Sequence, residues 1–263
     1  MTDSIKVNGT EIEYIRFGSG ERAFVIFPGL GTKSITQSAM VIEASYSRFT
    51  DEYPVWVFDR GRDLPEGCSV RQMASDIADA MTALGISGAD IFGASMGGMI
   101  AMCMAIDHPE LVRRVVFGST SSRMDNNIVS SIDRWIELAE RGDVTNLTAD
   151  FLDNLFSKDT VGKYRDFLIH INDGLTQSDI DRFIIQAKAI TKFDVYDELD
   201  KITCPALVIG VEGDKVLPVE YSREIAEKIG CELYLYGSEY AHCVFDEAPD
   251  YKQRLLDFYN KTI

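Results

Sequence analysis

A serine with the surroundings of a nucleophile lies near the middle of the chain, at Ser95. Gly93 and Gly97 flank it in a Gly-x-Ser-x-Gly pattern, with a short apolar run before and a longer one after. This pattern is typical of a tight strand-to-helix turn, where glycines are needed because the backbone is crowded and the serine oxygen projects outward. The alternative interpretation is a glycine-rich turn before a core helix. The pattern predicts nucleophilic chemistry at Ser95 if a base and an acid lie within reach.

Three histidines are candidates for the base. His108 lies at the predicted end of the helix after Ser95, about 18 Å away by the helix rise, which is too far to take the serine proton. His170 lies between apolar residues of a predicted helix, a setting typical of a structural histidine. His242 follows the last predicted strand, and functional groups collect in loops beyond the carboxyl ends of parallel strands. We therefore predict that His242 is the base.

The acid that orients a catalytic histidine is also expected just beyond a strand. Asp214 follows an apolar strand at 206–211, after Glu212 and a glycine. Glu212 is the competing candidate, but it lies closer to the strand, and a turn aspartate is the alternative interpretation of Asp214. The predicted order is Ser95, Asp214, His242, which differs from the orders in chymotrypsin and subtilisin.

Short apolar strands alternate with helices over most of the chain. A helix is predicted over 69–84 with Ser69 as its cap, and further helices follow Ser95 and cover 219–229 and 249–259. The alternation indicates βαβ units and a mainly parallel sheet with helices on both faces. The predicted strands lie just before Ser95 and at 11–17, 23–27, 55–58, 114–118, 206–211 and 232–236.

The alternation stops between residues 123 and 199, where only helical patterns occur. This segment is too long for an ordinary connection, so we interpret 123–199 as a helical cap inserted into a core formed by 1–122 and 200–263. Trp135 is a candidate for lining a substrate pocket, although packing within the cap is the alternative. A cap would place its side chains close to Ser95, whereas helices that merely extend the outer layer of the sheet would not.

Four segments carry a resemblance to a known family. They are Gly93-Ala94-Ser95-Met96-Gly97-Gly98, the Gly-Asp-Lys-Val-Leu-Pro segment at 213–218, the loop from His242 to Pro249, and Pro28-Gly29-Leu30-Gly31. In these segments, and in the order of its three candidate residues, the chain resembles an α/β-hydrolase-fold enzyme with a helical cap. The resemblance implies the α/β-hydrolase fold: a mostly parallel sheet of about eight strands, helices on both faces and a helical cap insertion.

The resemblance also implies an oxyanion hole formed by the backbone N–H groups of Leu30 and Met96. Two segments depart from the family pattern. Pro28-Gly29 replaces the usual His-Gly, and the usual Asp-x-Arg-Gly-x-Gly-x-Ser loop is present only as Asp59-Arg60-Gly61-Arg62-Asp63. We expect the first departure to leave the Leu30 donor in place, and the second to affect the local loop shape and not the catalytic residues.

The sequence therefore predicts hydrolysis of a small carboxylic ester or lactone through an acyl-Ser95 intermediate, without a cofactor or a metal. Carbon–carbon bond hydrolysis of a diketone, or cofactor-free perhydrolysis, by the same residues is the alternative, because a fold does not fix the reaction. A lidded binding module without activity is a third hypothesis, and the complete Ser-Asp-His set argues against it.

Composition limits the partners and the compartment. A net charge of −16 argues against binding a nucleic acid, whose phosphates would be repelled. The sequence shows neither an apolar run of membrane-spanning length nor the features of a signal peptide at its start, so no membrane partner is expected. Five scattered cysteines without a Cys-x-x-Cys pair indicate reduced thiols and no zinc site. We expect a cytoplasmic protein whose partner is a small-molecule substrate.

Overall fold

Eight strands form the sheet that organises the protein. The computed structural model describes residues 1–262, with the side chains of residues 126–130 left out. The strands are β1 (Thr2–Val7), β2 (Thr10–Phe17), β3 (Phe24–Phe27), β4 (Val55–Phe58), β5 (Ala89–Ala94), β6 (Val112–Gly118), β7 (Ala206–Val211) and β8 (Glu232–Tyr236). Their order across the sheet is β1-β2-β4-β3-β5-β6-β7-β8. β2 is antiparallel to both of its neighbours, β1 and β4, and the other neighbouring strands are parallel.

The central strands are buried on both faces, which explains why their sequences are almost continuously apolar. Every residue of β3, β4, β5 and β7 is buried. A parallel sheet covered by helices on both sides gives this pattern, whereas burial of one face would give alternation. The mostly parallel eight-stranded sheet expected from the sequence is therefore confirmed.

Helices cover both faces of this sheet. Alternate residues of β3 belong to different core clusters, so the two clusters lie on opposite faces. The helix after β4 begins at its predicted cap, because the Ser69 hydroxyl accepts a hydrogen bond from the Gln72 N–H. None of the described helices is long and apolar enough to cross a membrane. The helices are α1 (Ala39–Ser45), α2 (Val70–Ala83), α3 (Met96–Asp107), α4 (Asn126–Glu140), α5 (Val144–Leu155), α6 (Lys158–Leu168), α7 (Gln177–Ile190), α8 (Val219–Ile229), α9 (Val244–Glu247) and α10 (Tyr251–Tyr259).

Helices α4 to α7 occupy the segment between β6 and β7. In the described part of this segment the only β-type pairing is an isolated bridge between Arg123 and Asp194. The Val195 N–H also donates to the Ser122 carbonyl at 2.8 Å. The two ends of the helical segment therefore lie side by side, as they do when a unit is inserted into a loop between two strands.

Among the described strands and α-helices, three were not predicted from the sequence patterns: β1, α1 and α9, the last of which spans only four residues. β1 is an edge strand with mostly exposed side chains, so it lacks the apolar alternation that marks a half-buried strand. It is joined to β2 by Asn8 and Gly9, both with positive φ, as a two-residue hairpin turn requires. α1 buries none of its residues, which leaves no apolar stripe in its sequence.

Candidate active site

Ser95 lies on the turn between β5 and α3 in a backbone conformation that non-glycine residues rarely adopt. Its φ is +54° and its ψ is −120°. A residue in a sparsely populated conformation costs about 1–3 kcal/mol and persists only where the surroundings enforce it. The Ser95 N–H donates to the Gly118 carbonyl at 2.9 Å, and the Thr120 hydroxyl donates to the Ser95 carbonyl at 2.7 Å. The end of β6 therefore fixes the peptide groups on both sides of Ser95.

The glycines around Ser95 are required for space. A Cβ on Gly93 would overlap the Gly97 carbonyl, and a Cβ on Gly97 would overlap the carbonyl of Phe27 at the end of β3. The backbone crowding expected from the Gly-x-Ser-x-Gly pattern is thus present. It allows the first turn of α3 to lie directly against the end of β3, where the segment 28–31 begins.

Asp214 and His242 lie in the loops after β7 and β8 and are joined by a hydrogen bond. His242 Nδ1 lies 2.7 Å from Asp214 Oδ2, and both side chains are almost completely buried. The other carboxylate oxygen accepts from the N–H groups of Val216 and Leu217, each at 2.8 Å. Asp214 is therefore held through both oxygens. Because Nδ1 of His242 is committed to Asp214, Nε2 is the nitrogen left to accept a proton.

The competing candidates have other surroundings. Glu212 is exposed to solvent. His108 directly follows the last residue of α3. The expected place of His170 within a helix is wrong, because α6 ends at Leu168 and the His170 side chain is 63% exposed and pairs with Asp173. The described part of the chain also contains no group of three or more His, Cys, Asp or Glu side chains that could hold a metal ion.

Ser95 and His242 line one cavity of about 240 Å³. Helices α4, α5 and α7 contribute side chains to its wall. Cys243 and Asp246 add polar groups, and no lysine or arginine is found among the lining residues of the described chain. An apolar cavity of this kind suits a small uncharged ligand. Its apolar side chains are Leu30, Ile35, Met99, Ile132, Trp135, Phe151, Leu155, Ile190, Val216, Leu217 and Phe245.

Trp135 both lines the cavity and packs within the helical segment. Its indole Nε1 donates to Asp150 Oδ2 at 2.7 Å. Its ring meets that of Phe151 edge-on, with 4.8 Å between the centroids. The indole is therefore fixed in orientation, so it forms a rigid part of the cavity wall.

The backbone N–H groups of Leu30 and Met96 belong to segments that meet beside Ser95. Met96 is the first residue of α3, where an N–H has no acceptor within the helix. Leu30 lines the same cavity as Ser95, and a Cβ on the adjacent Gly29 would lie 3.9 Å from Ser95 Oγ. Backbone amides and a helix N-terminus in this arrangement can stabilise an anion.

Glu247 connects the loop that carries His242 to the helical segment. One of its carboxylate oxygens accepts from the Ala241 N–H at 3.0 Å, and the other accepts from the Ser157 N–H at 2.7 Å. Ser157 caps the start of α6. One side chain therefore fixes the residue before His242 and the junction of α5 and α6 at the same time.

Cys243 follows His242 and lines the cavity, but its thiol is not activated. Burial, and next the negative charge of Asp246, raises the pKa of Cys243 well above its ordinary range. A protonated thiol is a poor nucleophile, so Cys243 is a poor candidate for nucleophilic chemistry. Its backbone N–H donates to the Leu155 carbonyl at 2.8 Å, a second connection between the histidine loop and α5.

The loop after β4, where the sequence departs from the family pattern, forms a buried ionic cluster. Arg182 of α7 lies 2.7 Å from Asp59 Oδ1, and Arg60 Nε lies 3.7 Å from the same oxygen. Burial alone would raise the pKa of Asp59, but the charges of Arg60 and Arg182 outweigh it, and the pKa lies below its ordinary value. The cluster therefore contains two guanidinium groups and one ionised carboxylate.

Sequence reasoning assigned no role to Thr120 or Glu247. Glu247 belongs to one of the segments that carry the family resemblance, so its position in that segment could have indicated a role in the site. For Thr120 the sequence offered only its position just beyond the predicted strand that ends at Gly118. Both act on backbone groups of residues distant in the sequence, 25 positions away for Thr120 and 90 for the Ser157 contact of Glu247.

The family model for the alpha/beta hydrolase fold matches residues 22–249, and the chain belongs to this family of hydrolases. It is 30% identical to a protein of Caulobacter sp. (strain K31) that carries the name carbamate hydrolase RutD, over 80% of each chain. It is 23% identical to 3-oxoadipate enol-lactonase 2 of Acinetobacter baylyi, over 86% of this chain and 85% of the relative. Among solved structures, MGS-M2, an alpha/beta hydrolase enzyme from a Medee basin deep-sea metagenome library, matches with a TM-score of 0.87 at 20% identity, over 99% of this chain and 98% of that one.

Proposed function

We propose that the protein is a serine hydrolase in which Ser95, His242 and Asp214 form a catalytic triad that cleaves small carboxylic esters or lactones. The observation that carries the proposal is the shared cavity, which is lined by Ser95 on a strained turn and by His242 bonded to a buried aspartate. The chemistry of a triad requires this division of roles among nucleophile, base and orienting acid. Membership of the hydrolase family supports the reaction class.

In the proposed mechanism, Ser95 Oγ attacks the substrate carbonyl carbon while His242 Nε2 takes the hydroxyl proton. Asp214 holds the imidazole through Nδ1–H and stabilises its positive charge. The tetrahedral intermediate then collapses, the bond from the carbonyl carbon to the alkoxy oxygen breaks, and His242 gives its proton to the departing alkoxide. His242 next deprotonates a water molecule, whose oxygen attacks the carbonyl carbon of the acyl-Ser95 ester. The bond from this carbon to Ser95 Oγ then breaks, His242 returns its proton to Oγ, and the carboxylic acid leaves.

We assign stabilisation of the tetrahedral oxyanion to the N–H groups of Leu30 and Met96. Preorganised donors aimed at the developing charge are commonly the largest single contribution to such catalysis. The position of Met96 at the start of α3 and of Gly29 against Ser95 supports the assignment. Because the donors are backbone groups, proline at position 28 in place of the usual histidine does not remove them.

We further assign residues 123–199 as the cap and Trp135 as part of the acyl pocket. The wall formed by Ile132, Trp135, Phe151, Leu155 and Ile190 supports both assignments, because these side chains line the cavity together with Ser95. A cap of this kind excludes water and shapes the pocket. The remaining residues, 1–122 and 200–263, form the hydrolase core in this proposal.

The names of the relatives agree with acyl transfer to water. One carries the name carbamate hydrolase and another the name 3-oxoadipate enol-lactonase. An adipate-derived lactone retains a free carboxylate, and the described cavity lining offers no lysine or arginine to pair with it. We therefore favour uncharged esters and lactones as substrates. The cytoplasmic location expected from the sequence remains a prediction.

Ser95→Ala tests the proposal directly. Turnover of a short-chain p-nitrophenyl ester is expected to fall by about 10⁴- to 10⁶-fold, as for the loss of a triad member. The fold should persist, because only one oxygen is removed, and thermal unfolding would verify this. Ser45→Ala, at an exposed serine of α1, is the control. Turnover above about a tenth of the wild-type value in Ser95→Ala would contradict the assignment.

Active-site labelling separates this function from the two alternatives. A serine-directed phosphonate should modify Ser95 in the wild-type protein, detected by peptide mass spectrometry. The alternative chemistry would be favoured if Ser95 is labelled and the protein cleaves a diketone, or forms a peracid, but does not hydrolyse esters. Absence of labelling would favour a binding module.

A further inference from the structure

The segment 28–33, which carries the Leu30 N–H, is held in place by side chains and not by its own backbone. Within the described part of the chain, no hydrogen bond joins a backbone group of this segment to another backbone group. We name this segment the oxyanion loop. A loop without backbone pairing depends on side-chain contacts for its shape, so the contacts at its two ends determine where the Leu30 N–H points.

The first contact lies at the start of the oxyanion loop. The guanidinium of Arg60 donates from Nη1 to the Pro28 carbonyl at 3.1 Å and from Nε to Gln186 Oε1 at 2.7 Å. Gln186 is wholly buried and belongs to α7 of the proposed cap. Arg182 of the same helix donates to the Arg60 carbonyl at 2.9 Å. Helix α7 thus fixes Arg60, and Arg60 fixes the beginning of the loop.

The second contact lies at the end of the oxyanion loop. The Thr32 hydroxyl donates to Asn172 Oδ1 at 2.6 Å, and Asn172 Nδ2 donates to the Thr148 hydroxyl at 2.9 Å. All three side chains are more than nine-tenths buried. Asn172 lies between α6 and α7, and Thr148 lies in α5. Buried polar chains of this kind specify one arrangement, because any other leaves a polar group without a partner.

We propose that the pairs Arg60–Gln186 and Thr32–Asn172 are positioning contacts through which the cap holds the oxyanion loop in its active geometry. This inference rests on the proposed function, in which Leu30 donates to the oxyanion. Its consequence is that the cap contributes to the rate of the chemical step and does not only select substrates. None of the four side chains lines the cavity, so each acts through the loop and not on the substrate.

Substitutions of similar shape can remove each contact without opening a cavity. Thr32→Val removes the donor to Asn172, and Gln186→Leu removes the acceptor from Arg60. Thr32→Ser keeps the hydroxyl that donates to Asn172, so this variant should retain the wild-type kcat. Gln186 has no equally conservative substitute, because its Nε2 also donates to the Arg182 carbonyl at 3.3 Å. The controls are Thr191→Val, which removes a hydroxyl bonded within the α7 region, and Gln177→Leu, which removes an exposed glutamine on α7.

Three measurements distinguish a positioning role from a general role in stability: kcat, KM and the inhibition constant of a trifluoromethyl ketone. The adduct of this inhibitor with Ser95 places an oxyanion where the tetrahedral intermediate would have one. Loss of a whole oxyanion donor costs about 10²- to 10³-fold in kcat, so misplacement of one should cost about tenfold. We expect Thr32→Val and Gln186→Leu each to lower kcat about tenfold and to weaken the inhibitor by the same factor. KM should change less than about twofold, because ground-state binding is retained.

The outcomes have separate meanings. Wild-type kcat and inhibitor affinity in both Thr32→Val and Gln186→Leu would overturn the inference while leaving the triad in place. A drop in kcat with unchanged inhibitor affinity, or an equal drop in the two controls, would assign these residues to general stability and also overturn it. Persistence of hydrolysis in Ser95→Ala would instead overturn the proposed function on which the inference rests.

Discussion

At the scale of single residues, hydrogen bonds fix both the backbone of Ser95 and the carboxylate of Asp214, which binds His242. Ser95 keeps a strained φ of +54° because Gly118 and Thr120 bind the peptide groups on either side of it. Asp214 uses one oxygen for two backbone N–H groups and the other for His242. The hydrogen bond to His242 therefore has a fixed direction, and rotation of the carboxylate would break three contacts at once.

Asp214→Asn should be far more damaging than Glu212→Gln. An asparagine would fit the same space, but its side chain carries no negative charge to stabilise the imidazolium. Its NH₂ group can also donate to Nδ1, which favours the wrong tautomer of His242. We expect kcat to fall by about 10⁴-fold for Asp214→Asn. Glu212 is exposed, so Glu212→Gln should stay within about twofold of the wild type. Steady-state kinetics on one ester measures both, and equal effects would transfer the role of the acid to Glu212.

At the scale of elements, the helical segment between β6 and β7 is attached to the rest of the protein by polar contacts at several places. Arg182 of α7 reaches the buried Asp59 after β4, and Glu247 joins the histidine loop to the start of α6. Apolar packing is not directional, whereas hydrogen-bonded charged side chains specify one arrangement of the two parts that they join. The segment 59–63, which departs from the family pattern, is therefore one of the attachment points of the proposed cap.

Asp59→Asn should destabilise the protein strongly and in a pH-dependent way. Removing the carboxylate leaves Arg60 and Arg182 buried without a counter-ion, a change that costs about 3–5 kcal/mol in the free energy of unfolding. The pKa of Asp59 is lowered in the folded state, so its contribution is complete above the unfolded pKa of about 3.9 and is lost as the pH falls through the folded pKa.

Urea unfolding at several pH values would measure the Asp59 contribution. The stability difference between the wild type and Asp59→Asn should be full at about pH 7 and should shrink below about pH 4. Asp63→Asn, at an exposed position of the same loop, is the matched control. A stability difference between the wild type and Asp59→Asn that is small, or that does not depend on pH, would show that the Asp59 carboxylate does not stabilise the cluster.

At the scale of the whole molecule, sequence patterns predicted the features that are determined by residues close together in the sequence. Strands buried on both faces are continuous apolar runs, and the Gly-x-Ser-x-Gly turn is a local signal, so the sheet and the place of Ser95 were both predictable. β1 and α1 were not, because their exposed residues form no apolar pattern. The contact between Thr32 and Asn172 joins residues 140 positions apart, and only the folded chain brings them together.

The net charge of the molecule and the lining of the cavity point to the same substrate preference. The chain carries a formal charge of −16, and Asp246 adds a carboxylate to a cavity whose described lining has no cationic side chain. An anionic substrate would be repelled during its approach and would lose hydration in the cavity without gaining a partner. A neutral ester of the same length encounters neither cost.

The ratio of kcat/KM for ethyl pentanoate to that for monoethyl succinate measures this preference, because the two esters are similar in length and differ in one carboxylate. We expect the neutral ester to be favoured by at least about tenfold, the equivalent of roughly 1.4 kcal/mol. Raising the ionic strength from about 0.01 M to about 1 M shortens the Debye length from about 30 Å to about 3 Å. Added salt should therefore narrow the ratio by screening the long-range repulsion, but not abolish it, because the desolvation cost inside the cavity remains. Equal rates for the two esters at low salt would mean that a cationic group reaches the substrate, and the assignment of a neutral acyl pocket would be wrong.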